Sequence, residues 1–160
     1  MILVADCSAL IALSACQQLA LLEKLFETVV VPEAVYYEAT VSYKKEAQQL
    51  KVYLQNKVHK VDMNNYVFLD GFSDIGETEA MLLYKQLSAD KLLIDDKRGR
   101  KIAKLNNIRI IGSLGILLIA KEKGLIDEIY PLLQCIEKAG IHLSVELVET
   151  VLDLAGERSI

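Results

Sequence analysis

Short runs of apolar and β-branched residues, each closed by a polar residue or a breaker, constrain this chain most. Residues 2–5 (ILVA), 28–31 (TVVV), 92–94 (LLI) and 108–111 (IRII) are too short to be buried helices. Runs of this kind suit strands covered on both faces of a parallel sheet. Between them, residues 9–15, 18–26, 33–41, 44–56, 74–89, 98–105 and 114–123 carry helical patterns. Strands and helices that alternate in this way predict an α/β fold, a three-layer α/β/α arrangement with a mostly parallel central sheet. Residues 58–63 predict a short edge strand and 64–72 a loop. Two more helical patterns, 127–138 and 144–155, separated by Gly140, predict extra C-terminal helices on that frame.

Punctuation supports these boundaries. Pro32 stops the second strand and suits the first turn of a helix. Ser8 and Ser113 are expected to cap the helices that follow them. Asp74 with Glu77 three residues on resembles a capping box, and Gly124 is a helix terminator.

Length and composition limit the rest. A chain of 160 residues fits one domain, 1–160, and 52% hydrophobic with 25% charged residues indicates a globular protein. The net charge of −4 gives no overall pull toward nucleic acid, so any such binding must rest on a local patch. Cys7, Cys16 and Cys135 form an odd set without CxxC spacing, which disfavours a disulfide framework or a zinc site and favours a reducing cytoplasm. His59 and His142 lack ligand spacing and are expected to be surface or packing residues. The apolar start MILVADCSALIAL has no basic leader and is interrupted by Asp6, and no apolar run is long enough to span a bilayer. A soluble protein without a membrane partner is the expectation.

The acids sit where a parallel sheet builds sites. Asp6 and the pair Asp95 and Asp96 follow two apolar strand runs directly, and Glu38 and Glu79 lie on helices after other strands. If the strands are neighbours, these carboxylates converge near the point where strand order reverses. Clustered carboxylates resist joint ionisation unless cations intervene, and hard oxygen ligands suit Mg²⁺ or Mn²⁺. Residues 97–104 add Lys97, Arg98, Arg100, Lys101 and Lys104 directly behind the acids. Such cations suit phosphate contact, and Arg98 and Arg100 are the candidates. Each feature also has an ordinary structural role: a strand-end Asp caps a helix, Glu77 completes a capping box, and a basic run makes a solvated helix face. Tyr36, Tyr37, Tyr43 and Tyr53 suit packing better than base stacking.

VADCSALIAL, VPEAVYYEA, GETEAMLL and LLIDDKRGRKIA, in that order, with IIGSLGILLIAKEKG after them, resemble the PIN-domain ribonucleases, the VapC-like toxin branch above all. The resemblance covers essentially the whole chain. It implies a metal-dependent endoribonuclease with three or four acids on Mg²⁺ or Mn²⁺. Asp6 matches the first-strand aspartate, Ser8 the small hydroxyl residue after it, and Glu38 the helix glutamate. Glu79, followed by Ala80, matches the third acid better than Glu77, followed by Thr78. Asp96 matches the fourth acid, with Asp95 a possible sharer and Ile94 standing where relatives carry a hydroxyl. Candidate metal ligands are thus Asp6, Glu38, Glu77, Glu79, Asp95 and Asp96, and candidate substrate contacts Ser8, Arg98, Arg100 and Ser113. The resemblance also implies a homodimer and a small antitoxin protein as partner. Two alternatives stand beside it. A phosphoryl-accepting receiver domain is disfavoured because Gly112 and Ser113 occupy the place of its lysine. A PIN-like regulatory or nucleic-acid-binding module with little turnover is the other.

Overall fold

In the computed structural model, which describes residues 1–41, 45–62, 64, 67 and 74–157, β1 (Ile2–Ala5) is the middle strand of a five-stranded sheet. The other strands are β2 (Thr28–Pro32), β3 (Val58–His59), β4 (Lys91–Leu93) and β5 (Ile110–Ile111). Their order is β3-β2-β1-β4-β5 and every pairing is parallel. Leu3 stands opposite Val29 on one side and Lys91 on the other. Leu3, Val4 and Ala5 are fully buried, as a strand covered on both faces requires.

The helices lie on both sides of this sheet: α1 (Cys7–Ala15), α2 (Ala20–Leu25), α3 (Glu33–Ala39), α4 (Ala47–Tyr53), α5 (Ile75–Leu87), α6 (Lys97–Leu105), α7 (Ser113–Glu122), α8 (Tyr130–Lys138) and α9 (Val145–Ala155). Helix α5 packs on α3 and on β1, β2 and β4, while α1 packs on α3, α4, α7 and α8. The buried side chains from Leu3 to Val151 form one continuous apolar cluster. The C-terminal helices join it through α1 and α7: α8 packs on α1 with the buried Leu133 and Ile136, and α9 rests on α7 and contributes the buried Val151. Glu157 fastens the end, accepting from the amides of Ile129 and Tyr130 and pairing with Lys121 at 3.0 Å.

Several expected boundaries move for identifiable reasons. Ser8 does not cap α1; Asp6 occupies the N-cap position with extended backbone and Ser8 lies inside the helix. Ser113 does not cap α7 either, because Gly112 is the N-cap and Ser113 the first helical residue. The pattern at 44–56 contracts to α4, and the one at 127–138 begins only at Tyr130, where Glu157 satisfies the first amides and Pro131 fits the first turn. Helix α5 stops at Ser88 in a left-handed turn, φ 49° and ψ 49°, before Ala89. The expected edge strand shortens to β3, and the expected loop lies mostly outside the described residues, as does Tyr43. Among the described residues no helix is long and apolar enough to cross a membrane.

Candidate active site

Strand order reverses between β1 and β4, and a parallel sheet opens a crevice beyond the carboxyl ends of its strands at such a point. Asp6 leaves β1 there, its backbone amide donating to the Leu93 carbonyl of β4 at 2.8 Å. Asp96 leaves β4 beside it and caps α6, its carboxylate accepting from the Gly99 amide at 2.7 Å. Glu38 arrives on α3, and Asp74 with Glu77 arrives at the start of α5.

These five acids form one electrostatic group. Burial pushes the Asp6 carboxyl from 3.8 up to about 7; the Cys7 backbone N–H opposes this, and Asp74, Glu38 and Asp96 add to the rise. Burial likewise lifts Glu77 from 4.5 to about 7, helped by Asp74, Asp6 and Asp96 and opposed by the Asp74 backbone N–H. Asp6 and Glu77 are buried, whereas Glu38, Asp74 and Asp96 are exposed. Glu77 also donates its amide to the Asp74 carboxylate at 2.7 Å. The capping box therefore exists, and its members are at the same time part of the acidic group.

Glycines make the room. A Cβ on Gly76 would meet Glu38 Oε2 at 2.9 Å and Asp74 Oδ1 at 3.4 Å. One on Gly99 would meet Ile94 Cδ1 at 2.7 Å and Glu77 Oε1 at 3.1 Å. Ile94, fully buried, thus fills the hydroxyl position with an apolar contact that seats the first turn of α6.

The sequence model of the PIN-domain family matches residues 2–157. The chain belongs to the PIN-domain family. Neither a curated protein nor a solved structure gives a match. PIN domains are in general nucleases, and the parallel α/β/α frame seen here is theirs.

Within this PIN domain, two expected acids point elsewhere. Glu79, half-buried, accepts from the Ala34 amide at 3.3 Å, at the start of α3, and is not among the charges that shift Asp6 or Glu77. Asp95 accepts from both the amide and the hydroxyl of Ser113, each at 2.7 Å. Gly112 has no side chain with which to cap α7, so Asp95 supplies that carboxylate from the neighbouring strand. Adjacent aspartates thus serve different helices. Asp74 was legible only as a cap, although an acid three residues before Glu77 on an N-terminal turn was the available signal.

Two grooves flank this corner. The acidic one, about 810 Å³, is lined by Asp74, Glu77 and Asp96 and by Lys97, Arg98, Lys101 and Leu105. The other, about 480 Å³ and mainly apolar, holds Ser8, Asp95, Arg100, Ser113 and His142 among side chains of α7 and α9. The structure therefore separates Arg98 from Arg100, and Ser8 and Ser113 line the groove without the acidic group. Lys97 and Lys101, not singled out from sequence, accompany Arg98; their spacing of four on a helix was the missed signal.

The acidic set fits Mg²⁺ or Mn²⁺ in kind, since its donors are all carboxylate oxygens. Among the described residues, however, no three His, Cys, Asp or Glu side chains are gathered into a group that would hold an ion as they stand.

Proposed function

We propose that this PIN domain is a metal-dependent endoribonuclease that hydrolyses a phosphodiester at the β1–β4 crevice. The convergence of Asp6, Glu38, Glu77 and Asp96, with Asp6 and Glu77 raised toward 7 by burial first and by neighbouring carboxylates second, carries this reading. These four would hold the Mg²⁺ or Mn²⁺, in preference to Glu79, which is not among the charges acting on Asp6 or Glu77, and to Asp95, both of whose oxygens serve Ser113. A bound ion of this type lowers the pKa of a water and stabilises charge developing on phosphate oxygens. Asp6 and Glu77 must give up their protons to act as ligands, so cation binding and their ionisation are coupled. Asp74 adds negative charge without being required as a ligand, and Asp96 is oriented by its bond from Gly99. Lys97, Arg98 and Lys101 of α6 line the same groove, where they would neutralise phosphate.

The test is cleavage of diverse RNAs with Mg²⁺ or Mn²⁺, comparing the wild type with Asp6→Asn and Asp96→Asn. Loss of cleavage in both variants and with chelator is expected; activity that survives both substitutions would sink the proposal. A regulatory or RNA-binding module is the second reading, favoured by the absence of a closed ligand group among the described residues. RNA binding without cleavage under any metal would select it. As part of the same proposal the protein acts in the cytoplasm as the toxin of a pair, blocked by a small antitoxin in the acidic groove, and forms a homodimer. Growth arrest on expression, relieved by Asp6→Asn, and a dimer mass in sedimentation are the expected observations.

A further inference from the structure

The mainly apolar groove has the make-up of a ligand site. Its volume of about 480 Å³ falls in the range of small-molecule sites, which are apolar with a few polar groups that fix orientation. The walls are aliphatic, from Leu114 and Leu118 on α7 and from Leu147, Val151 and Leu154 on α9. The last three recur at helical spacing and form one stripe. Leu147 and Leu154 are 44% and 71% exposed, so this wall lies open to solvent. Leu118 and Leu154 also line a further groove of about 540 Å³ beside Lys121 and Glu122, so the channel continues along the two helices. Among the described residues no aromatic ring lines either part, and nothing there would stack on a base or planar ring.

Charge sits at one end. Arg100 lines that end, half-buried, and makes no ion pair among the described residues. Gly112 leaves the space it fills, since a Cβ there would meet Arg100 Nη1 at 2.7 Å. Asp95 is close by, but both of its oxygens are taken by the Ser113 amide and hydroxyl. A partly desolvated cation without a counter-ion calls for an anion, and a guanidinium matches the two oxygens of a carboxylate. We propose that this groove binds a linear aliphatic carboxylate, a free fatty-acid-like molecule, with its head on Arg100 and its chain between α7 and α9. A protein tail fits less well, because its backbone amides need partners that aliphatic walls do not supply. The site goes beyond the nuclease reading and does not depend on it.

The experiment is isothermal titration of the full-length protein with octanoate, decanoate and dodecanoate below their micelle concentrations, and with 1-decanol. Saturable one-to-one binding of decanoate is expected, tightening by up to about fourfold per added methylene. Decanol should bind about tenfold more weakly than decanoate, the loss of one charge-assisted contact. Arg100→Gln should weaken decanoate by a similar factor while leaving decanol unchanged, and Arg100→Lys should fall between. Leu154→Glu, at an exposed position, should weaken dodecanoate more than octanoate. Absence of saturable binding overturns the proposal, as does equal affinity of the wild type for decanoate and decanol. That second comparison decides the matter even if Arg100→Gln melts below wild type. Tighter binding of a leucine-rich hexapeptide with a free C-terminal carboxylate would assign the groove to a protein tail and also overturn it.

Discussion

Among single residues, the acidic group is a cost to the folded chain. Asp6 and Glu77 bind protons in the folded state up to about pH 7, while in the unfolded chain they titrate near their ordinary values of 3.8 and 4.5. Between those limits the folded state holds more protons, so its stability must fall as pH rises through the window, then level off. A tenfold difference in proton affinity between the folded and unfolded chain is worth about 1.4 kcal/mol. Thermal melts of chelated protein should show Tm declining from pH 5 to 8, with a shallower decline in Asp6→Asn. At pH 8 without metal that variant should be more stable than wild type by about 1–3 kcal/mol, because an uncompensated charge has been removed. Adding Mn²⁺ should raise the wild-type Tm more at pH 8 than at pH 5. A destabilised Asp6→Asn at pH 8 would show instead that the ionised carboxylate is stabilised by its surroundings. Gly99 gives a second prediction: a methyl there meets Ile94 and Glu77, and overpacking of this kind costs about 1–3 kcal/mol. Urea denaturation of Gly99→Ala measures it, and Ile94→Val in the same chain should recover part of the loss.

Among the elements, the corner between β4 and α6 works by dividing two adjacent carboxylates. Asp96 caps α6 and faces the acidic groove, while Asp95 caps α7 and lines the apolar one. Asp95→Ala removes both bonds to Ser113 and should destabilise by about 2 kcal/mol, in the range for hydrogen bonds to a charged group. Asp95→Asn keeps an acceptor for the Ser113 amide and should cost less, with the Mn²⁺ midpoint for cleavage unmoved; Asp96→Asn should abolish cleavage. A shift of that midpoint in Asp95→Asn would restore Asp95 to the ligand set. This division also explains what was legible in the sequence. Apolar runs and turn residues located the strands, and Asp6 and Asp96 at strand ends announced the crevice. Direction within a helix turn was harder to read. Glu77 and Glu79 are two residues apart, so they project to nearly opposite sides of α5, and only the placement of α3 decides which faces Asp6. Ser8 and Ser113 were good cap types in the wrong places, because Asp6 and Gly112 hold the N-cap positions and Asp95 takes the first amide of α7. Asp95 could not be assigned from sequence, since its partner Ser113 lies 18 residues away.

Across the whole molecule, α8 packs on α1 and α9 on α7, and Glu157 ties the end of α9 to the start of α8 and to Lys121. The Glu157 carboxyl is held below the ordinary 4.5, as the amides of Tyr130 and Ile129 and the Lys121 ammonium outweigh its desolvation. That contribution is present above the ordinary value and is lost as pH falls below it. Glu157→Gln should therefore increase amide exchange in α8 and α9 while leaving β1, β4 and cleavage activity as they were. Faster exchange in β1 would show that the C-terminal helices brace the site after all.

The middle position of β1 has a consequence for synthesis. Its partners β2 and β4 begin at Thr28 and Lys91, so the strand bearing Asp6 emerges first and waits for most of the chain before its second neighbour exists. Parallel pairing at such separation is slow to form. A ribosome-bound fragment lacking β4 also lacks Asp96 and the cations of α6, so the polypeptide carries an incomplete set of acids until well past its midpoint.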